Sequence, residues 1–255
     1  MTSDFVHLHN HSDYSLLDGA QKIDQLVNTI DDLNMDAVAL TEHGNMFSVL
    51  PYYKQAKKAG IKPIIGCEIY VAVGSRFEKK TRSDGGWGNN HLILLAQNFT
   101  GYKNLMKLVT AGYLEGFYYR PRIDMDLLRE YSEGLICMSA CLKGVVPEKM
   151  LKGDYEGARK EALLFSEIFQ DRYYLEIQNH GIPEEEQNLK NMKKLSQDLN
   201  LPLVCTNDAH YAKKEHWEAH DIHICLGTGK ERSDPNRLRY ATPEFYFKTQ
   251  DEMHK

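Results

Sequence analysis

The 255-residue chain is 42% hydrophobic and 26% charged, with a formal net charge of −5. The length fits one large domain, the composition excludes long disordered stretches, and no apolar run reaches the length of a membrane span. The acidic balance argues against a protein that grips nucleic acid over its whole surface, although bound cations can supply positive charge at one site.

The chain opens on an apolar run, Phe5–Leu8, expected as a strand. The stretch "KIDQLVNTIDDLN" then places Ile23, Leu26, Ile30 and Leu33 on one helical face. Strands are expected at Ala37–Thr41, Lys62–Val71 and His91–Ala96. The polar, glycine-rich Gly74–Asn90 between the last two reads as a mobile loop. Further on come a strand at Leu135–Ala140 and a helix with Ala158, Ala162, Phe165, Ile168 and Phe169 on one face. A strand at Tyr173–Gln178 precedes a helix carrying Leu189, Met192, Leu195 and Leu199, with Asn200 as its C-cap. The last strand is Leu201–Asn207. Several of these strands are apolar throughout, as expected where both faces are covered. Seven strands alternating with helices predict an α/β protein with a mainly parallel sheet, and a distorted (β/α)7 barrel rather than an open doubly wound sheet.

Residues 1–226 are expected to form this barrel, and 227–255 a C-terminal extension with little periodicity. In the extension, Thr249 and Glu252 have the spacing of a capping box, which opens a helix. The chain stops three residues after Glu252, and a helix that begins and is at once cut suggests a piece of a longer protein. The polar start reads as the entry to a strand, and no secretory leader is expected. Cys67, Cys137, Cys141, Cys205 and Cys225 are odd in number and widely spaced, so they read as reduced thiols of a cytoplasmic protein.

Chemistry-bearing residues collect at the strand ends. His7, His9 and His11 alternate through the first strand, and alternate side chains of a strand share a side. Asp18 follows in "SLLDG" and His43 in "LTEHGN". Glu68 lies in "GCEIY", Cys141 in "SACLKG", and Asp208 and His210 in "TNDAHY". His91 stands at the start of its strand, not its end, and is the one awkward placement. Singly, each has an ordinary reading: a bonded structural histidine, an N-cap aspartate, an exposed glutamate or a buried apolar thiol. Jointly, at the ends of successive strands, they read as metal ligands. Nine ligands exceed what one ion takes and suit two or three bridged ions. Imidazole, carboxylate and one sulfur favour zinc, manganese or iron over magnesium or calcium. Such a cluster suits hydrolysis of a phosphate ester by metal-bound hydroxide, with no protein general base assigned.

The stretches "HLHNHSDYSLLDG", "LTEHGN", "GCEIY", "SACLKG" and "TNDAHY" resemble the motifs of the PHP (polymerase and histidinol phosphatase) domain. They do so in the form that opens bacterial C-family replicative polymerases. "GFYYRPRID" and the segment after Gly227 look like the same polymerases, so the resemblance covers essentially the whole chain. It implies a PHP-type barrel holding two to three divalent metal ions on His9, His11, Asp18, His43, Glu68, His91, Cys141, Asp208 and His210. None of these positions is replaced, whereas His7 falls outside the pattern and is expected to support the ligands from behind or to be structural. The resemblance also implies metal-dependent 3′–5′ exonuclease action on DNA ends. The implied partners are DNA reached through the full-length polymerase, the remaining polymerase domains in cis, a proofreading exonuclease and other replicase subunits, with no membrane. The alternative is a non-catalytic, metal-stabilised scaffold docking the polymerase core or the proofreading subunit. A free-standing histidinol-phosphatase-like enzyme is a third reading, disfavoured by the polymerase-like tail.

Among lesser candidates, Arg120, Arg122 and Lys143 are expected to contact substrate phosphates, against ordinary surface roles for each. His180 follows a strand end, but the ligand set is already full. His216, His220 and His223 lie near one helix face and are expected to serve packing.

Overall fold

The structure, a computed structural model, describes residues 4–80 and 88–255. The strands are β1 (Ala37–Leu40), β2 (Lys62–Ala72), β3 (Asn89–Ala96), β4 (Arg122–Ile123), β5 (Leu135–Met138), β6 (Tyr173–Ile177) and β7 (Leu203–Cys205). The helices are α1 (Ile23–Asp32), α2 (Val49–Lys58), α3 (Phe99–Leu114), α4 (Met125–Glu130), α5 (Val145–Leu151), α6 (Tyr155–Phe169), α7 (Pro183–Leu199), α8 (Trp217–Thr228) and α9 (Gln250–Met253). The three helical faces expected from the sequence are α1, α6 and α7. Each has a local reason to start or stop where it does. Asp154 caps α6 by accepting the Gly157 N–H at 2.9 Å. In α7, Pro183 opens the first turn beside three glutamates, and Asn200 closes it in the left-handed conformation. The Thr249–Glu252 capping box forms, and α9 follows it.

The sheet runs β1-β2-β3-β5-β6-β7, with β4 paired to β2 off this path. Neighbours are parallel except at β3, which runs antiparallel to both β2 and β5. The expected first strand is reduced to isolated pairings that join the two ends of the path. His7 pairs with Val38 on one side and Asn10 with Ala209 on the other. Buried Asn10 reinforces the join, its amide donating to the His7 and Ala39 carbonyls at 3.1 and 3.0 Å. The sheet is therefore a curled, distorted α/β barrel closed through the N-terminal segment. The loop expected at Gly74–Asn90 is only partly comparable, because 81–87 lie outside the described residues and Asn89 and Asn90 belong to β3.

Period-2 alternation sorts the strand side chains into two layers. Ile64, Ile93, Leu95, Ile136, Met138, Tyr174 and Val204 point inward with Ala39 and Leu8, and form the barrel floor. Cys67, Ile69, Leu92, Leu94, Leu135, Cys137, Tyr173 and Leu175 point outward into the main core against α3 to α7. Each large side chain fully buried there contributes roughly 1.5–3 kcal/mol. A second outer core packs α1 and α2 on β1. Part of the C-terminal extension folds back onto the barrel. The Phe245 carbonyl accepts the His210 N–H at 2.8 Å, and the Asn207 amide donates to the Glu244 and Tyr246 carbonyls.

Arg122 does not make the phosphate contact expected of it. It is 1% exposed. Its Nε and Nη2 donate to backbone carbonyls: Gly116 at 3.0 Å, Arg76 at 3.2 Å and Glu78 at 2.9 Å. It staples the β4 connection to the segment after β2. Arg122→Ala leaves these carbonyls without the donors that tie them, and is expected to cost about 2–4 kcal/mol of stability, read as a lowered urea midpoint.

Candidate metal centre

Inward-facing positions at one end of the barrel carry the polar residues. Glu68 shares the inner parity of Ile64, and His91 that of Ile93. The antiparallel course of β3 resolves the placement of His91. The start of β3 lies beside the end of β2, where Tyr70 faces His91 in register. His43 pairs with Glu68 across the extended β1–β2 edge. Asp18 is brought in by a tight turn in which a Cβ on Gly19 would stand 1.8 Å from the Ser12 carbonyl oxygen. Ala140 and Asp208 adopt φ of +63° and +45°, so the backbone is strained beside the ligand candidates Cys141 and His210.

All nine expected side chains meet here, and Glu68 is the hub. Its Oε1 lies 2.8 Å from Nδ1 of both His43 and His91, and its Oε2 lies 3.0 Å from His9 Nε2. Asp208 Oδ1 is 3.2 Å from His9 Nε2 and 3.1 Å from His11 Nε2. Asp18 Oδ1 is 3.1 Å from His43 Nε2. Cys141 Sγ is 3.8 Å from His91 Nδ1. Three triplets have ligand atoms all within 4.8 Å of one another: His11–His43–His210, His9–His11–Asp208 and Glu68–His91–Cys141.

His7 stands apart. Leu8 joins the barrel floor, while His7 turns outward between the Phe5 and Phe247 rings, 5.0 Å from each, and its Nε2 meets the Lys248 carbonyl. The strict alternation fails because only isolated pairings hold this segment, so His9 and His11 are free to turn inward with Leu8.

Outer groups orient the imidazoles. Buried Glu176 accepts His9 Nδ1–H at 2.7 Å and is itself held by Gln178 and Thr206. Buried Glu42 accepts the Ser15 hydroxyl at 2.6 Å, so Ser15 Oγ is left to accept His11 Nδ1–H at 3.1 Å. His210 Nδ1–H goes to the Asp208 carbonyl at 2.7 Å. In each case the Nε2 lone pair is turned into the site, the arrangement that metal-binding histidines need. These residues escaped the sequence reading. Glu176 had one available signal, a lone carboxylate at the inner parity of "YYLEIQ". Glu42 had adjacency to His43. Tyr240, whose hydroxyl is 2.8 Å from His210 Nε2, had none.

The electrostatics are those of a site built for cations. Burial disfavours the charge on Glu68, yet His91 and His43 hold its carboxyl well below the usual range. Asp208 is lowered against its burial by His9 and His210. Burial, together with neighbouring His43 and His210, pushes His11 down to about 3. His9 rises despite burial because Asp208 and Glu176 flank it. Burial and the nearby Glu68 and Asp208 push the Cys141 thiol up. Buried His11 Nε2, Asp18 Oδ1 and Asp208 Oδ1 have no hydrogen-bond partner, although charged groups lie close. Orphaned donor atoms on imidazole and carboxylate fit divalent cations.

The lesser candidates divide. Arg120 packs its guanidinium 5.7 Å from the Tyr70 ring, which meets His91 edge-on at 5.3 Å. Lys143 is exposed, and its carbonyl accepts the His91 N–H at 3.0 Å. Both lie at the rim. His180 instead bonds Glu185 and the Asn207 carbonyl, stacks on Phe245, and lines a separate cleft with Asn179, Lys248 and Glu252. His220 donates from Nε2 to the Asp18 carbonyl and packs on Tyr211 and Tyr240, a supporting role as expected. No helix among the described residues is long and apolar enough to cross a membrane.

The model of the PHP domain matches residues 7–180. The chain is 53% identical over 251 residues to "DNA polymerase III subunit alpha" of Borreliella burgdorferi, covering 98% of this chain and 22% of that protein. The proteins of the same name from Treponema pallidum and Thermus aquaticus are 49% and 43% identical, each over 98% of this chain and 21% of theirs. The chain thus spans about a fifth of the length of the curated relatives it matches. With the family motifs gathered at one end of a curled α/β barrel, and the family model matching from His7 to His180, the chain belongs to the PHP domain family.

Proposed function

We propose that this chain is the PHP portion of a replicative polymerase chain like its relatives, and that it is a metal-dependent phosphoesterase acting as a 3′–5′ exonuclease on DNA ends. The observation that carries the reading is the set of nine side chains, from six separated stretches of chain, whose donor atoms meet in one polar site with three of them orphaned. His9, His11, Asp18, His43, Glu68, His91, Cys141, Asp208 and His210 hold two or three ions of zinc, manganese or iron. Bound cations supply Lewis acidity and an activated water for displacement at phosphorus.

The chain's own residues set up that chemistry. Glu176 and Glu42 hold the His9 and His11 rings in the tautomer that presents Nε2. The high thiol pKa of Cys141 means that it ligates as thiolate only where cation charge compensates. Arg120 and Lys143, at the rim beside His91, receive the substrate phosphates. Residues 1–226 are the metal-binding barrel, and 227–255 lead toward polymerase domains in cis. With a net charge of −5, grip on DNA comes chiefly from the rest of such a polymerase.

A second reading is favoured by how the ligands are spread. They tie the N-terminal segment, β1, β2, β3, the β5 end and the β7 end to one point, so bound ions also brace the barrel as a scaffold. Metal analysis of the purified chain is expected to find about two to three equivalents. Chelation is expected to lower the melting temperature by about 5–10 °C. A chain without bound metal contradicts both readings. Loaded with manganese or zinc, the chain is expected to shorten single-stranded DNA from its 3′ end, and His43→Ala to reduce that rate by about a hundredfold or more. Metal-dependent stability with no hydrolysis in any loading state leaves the scaffold alone; hydrolysis that survives His43→Ala belongs to a contaminant.

A further inference from the structure

The extension places one hydroxyl directly on the candidate metal centre. Tyr240 lies on the stretch that leaves α8 and returns across the barrel. That stretch is anchored from outside by the Asp221 carboxylate, which takes Arg237 through two bonds of 2.6 and 2.8 Å. The Tyr240 ring packs against His210, His220 and Phe245, with centroids 4.9, 4.9 and 4.5 Å away. Its hydroxyl is 2.8 Å from His210 Nε2 and 3.3 Å from Asp18 Oδ2.

The proton count is what matters. His210 Nδ1–H is committed to the Asp208 carbonyl, so Nε2 carries the ring's lone pair and Tyr240 O–H donates to it. Asp18 Oδ2 is a second acceptor for the same proton. His210 belongs to the triplet His11–His43–His210. A lone pair given to a cation cannot also accept the phenol proton. Each ion bound at this corner must therefore displace a buried hydrogen bond.

We propose that Tyr240 is a positioning residue that opposes cation binding at the His11–His43–His210 corner by holding the His210 lone pair. The proposal rests on the metal-binding reading above. It assigns a role to a residue outside the expected ligand set, and makes the affinity of the corner depend on where residues 237–245 lie.

The test compares the unaltered chain with Tyr240→Phe, titrated with Mn2+ by calorimetry and with Co2+ by its visible absorption. Phe keeps the ring packing and removes only the hydroxyl. The weakest site is expected to bind about 3- to 10-fold more tightly in the variant, the factor for one net hydrogen bond removed as competitor. A purely structural role predicts no gain, because the ring packing is kept and only a hydrogen bond that orients His210 is lost. Equal or weaker binding by a folded Tyr240→Phe chain, with the unaltered chain binding normally, overturns this proposal and leaves the metal-binding reading intact. An unaltered chain that takes up neither cation overturns both. Should Tyr240→Phe fail to fold, Arg237→Gln frees the stretch that carries the hydroxyl from Asp221 while keeping the ring, and the same increase in affinity is expected; equal or weaker binding by that folded variant overturns the proposal.

Discussion

The architecture turns on one buried carboxylate. Glu68 is 1% exposed and faces the imidazoles of His9, His43 and His91 at 2.8–3.0 Å. A carboxylate withdrawn from water is strongly penalised unless opposite charge or hydrogen-bond donors surround it. The barrel supplies them by bringing strand ends from distant parts of the chain to the same point. Asp18 and Asp208 sit under the same constraint, each with a Oδ1 that finds charge but no hydrogen bond. The polar end of the barrel is therefore a place where protein groups alone satisfy one another incompletely, a balance of the kind that divalent cations would complete.

That arrangement demands particular things of the fold. A uniformly parallel sheet would carry His91 to the far end of its strand. Reversing β3 returns it to the end occupied by Glu68 and, through the Gly144 bridge, Cys141. The N-terminal segment, which delivers two of the imidazoles, gives up regular strand pairing, so Leu8 and His9 can both face inward. Positive φ at Ala140 and Asp208 is the backbone counterpart of the same demand, strain stored where side chains must be aimed. The apolar floor, from Ile64 to Val204, is close-packed beneath it.

Around the ligand candidates lies a layer that orients the rings and, at His9, also favours the charged form. Glu176 acts on His9 directly, and Glu42 acts on His11 through Ser15. The extension adds Tyr240 from outside the barrel proper, where α8, the Asp221–Arg237 pair and the Phe245–His210 backbone bond meet. Residues 227–255 are thus in part structurally continuous with the site, which the lack of periodicity in that stretch gave no means to foresee.

The sequence by itself determined the α/β class, the amphipathic faces of α1, α6 and α7, the Asn200 cap, the Thr249–Glu252 capping box and the nine residues that gather at the centre. These are local matters. Side-chain periodicity, cap chemistry and the polar residues that break apolar runs are written in neighbouring positions. The tertiary structure alone decided what depends on partners far along the chain. It reversed β3 and so explained His91; it reduced the first strand to bridges and turned His7 toward Phe247. It also buried Arg122 under backbone carbonyls, where the run "YYRPRID" had suggested a phosphate contact. Glu176, Glu42 and Tyr240 became visible only with the fold. Which acceptor a buried donor meets is set by long-range packing, and no pattern of nearby residues encodes it.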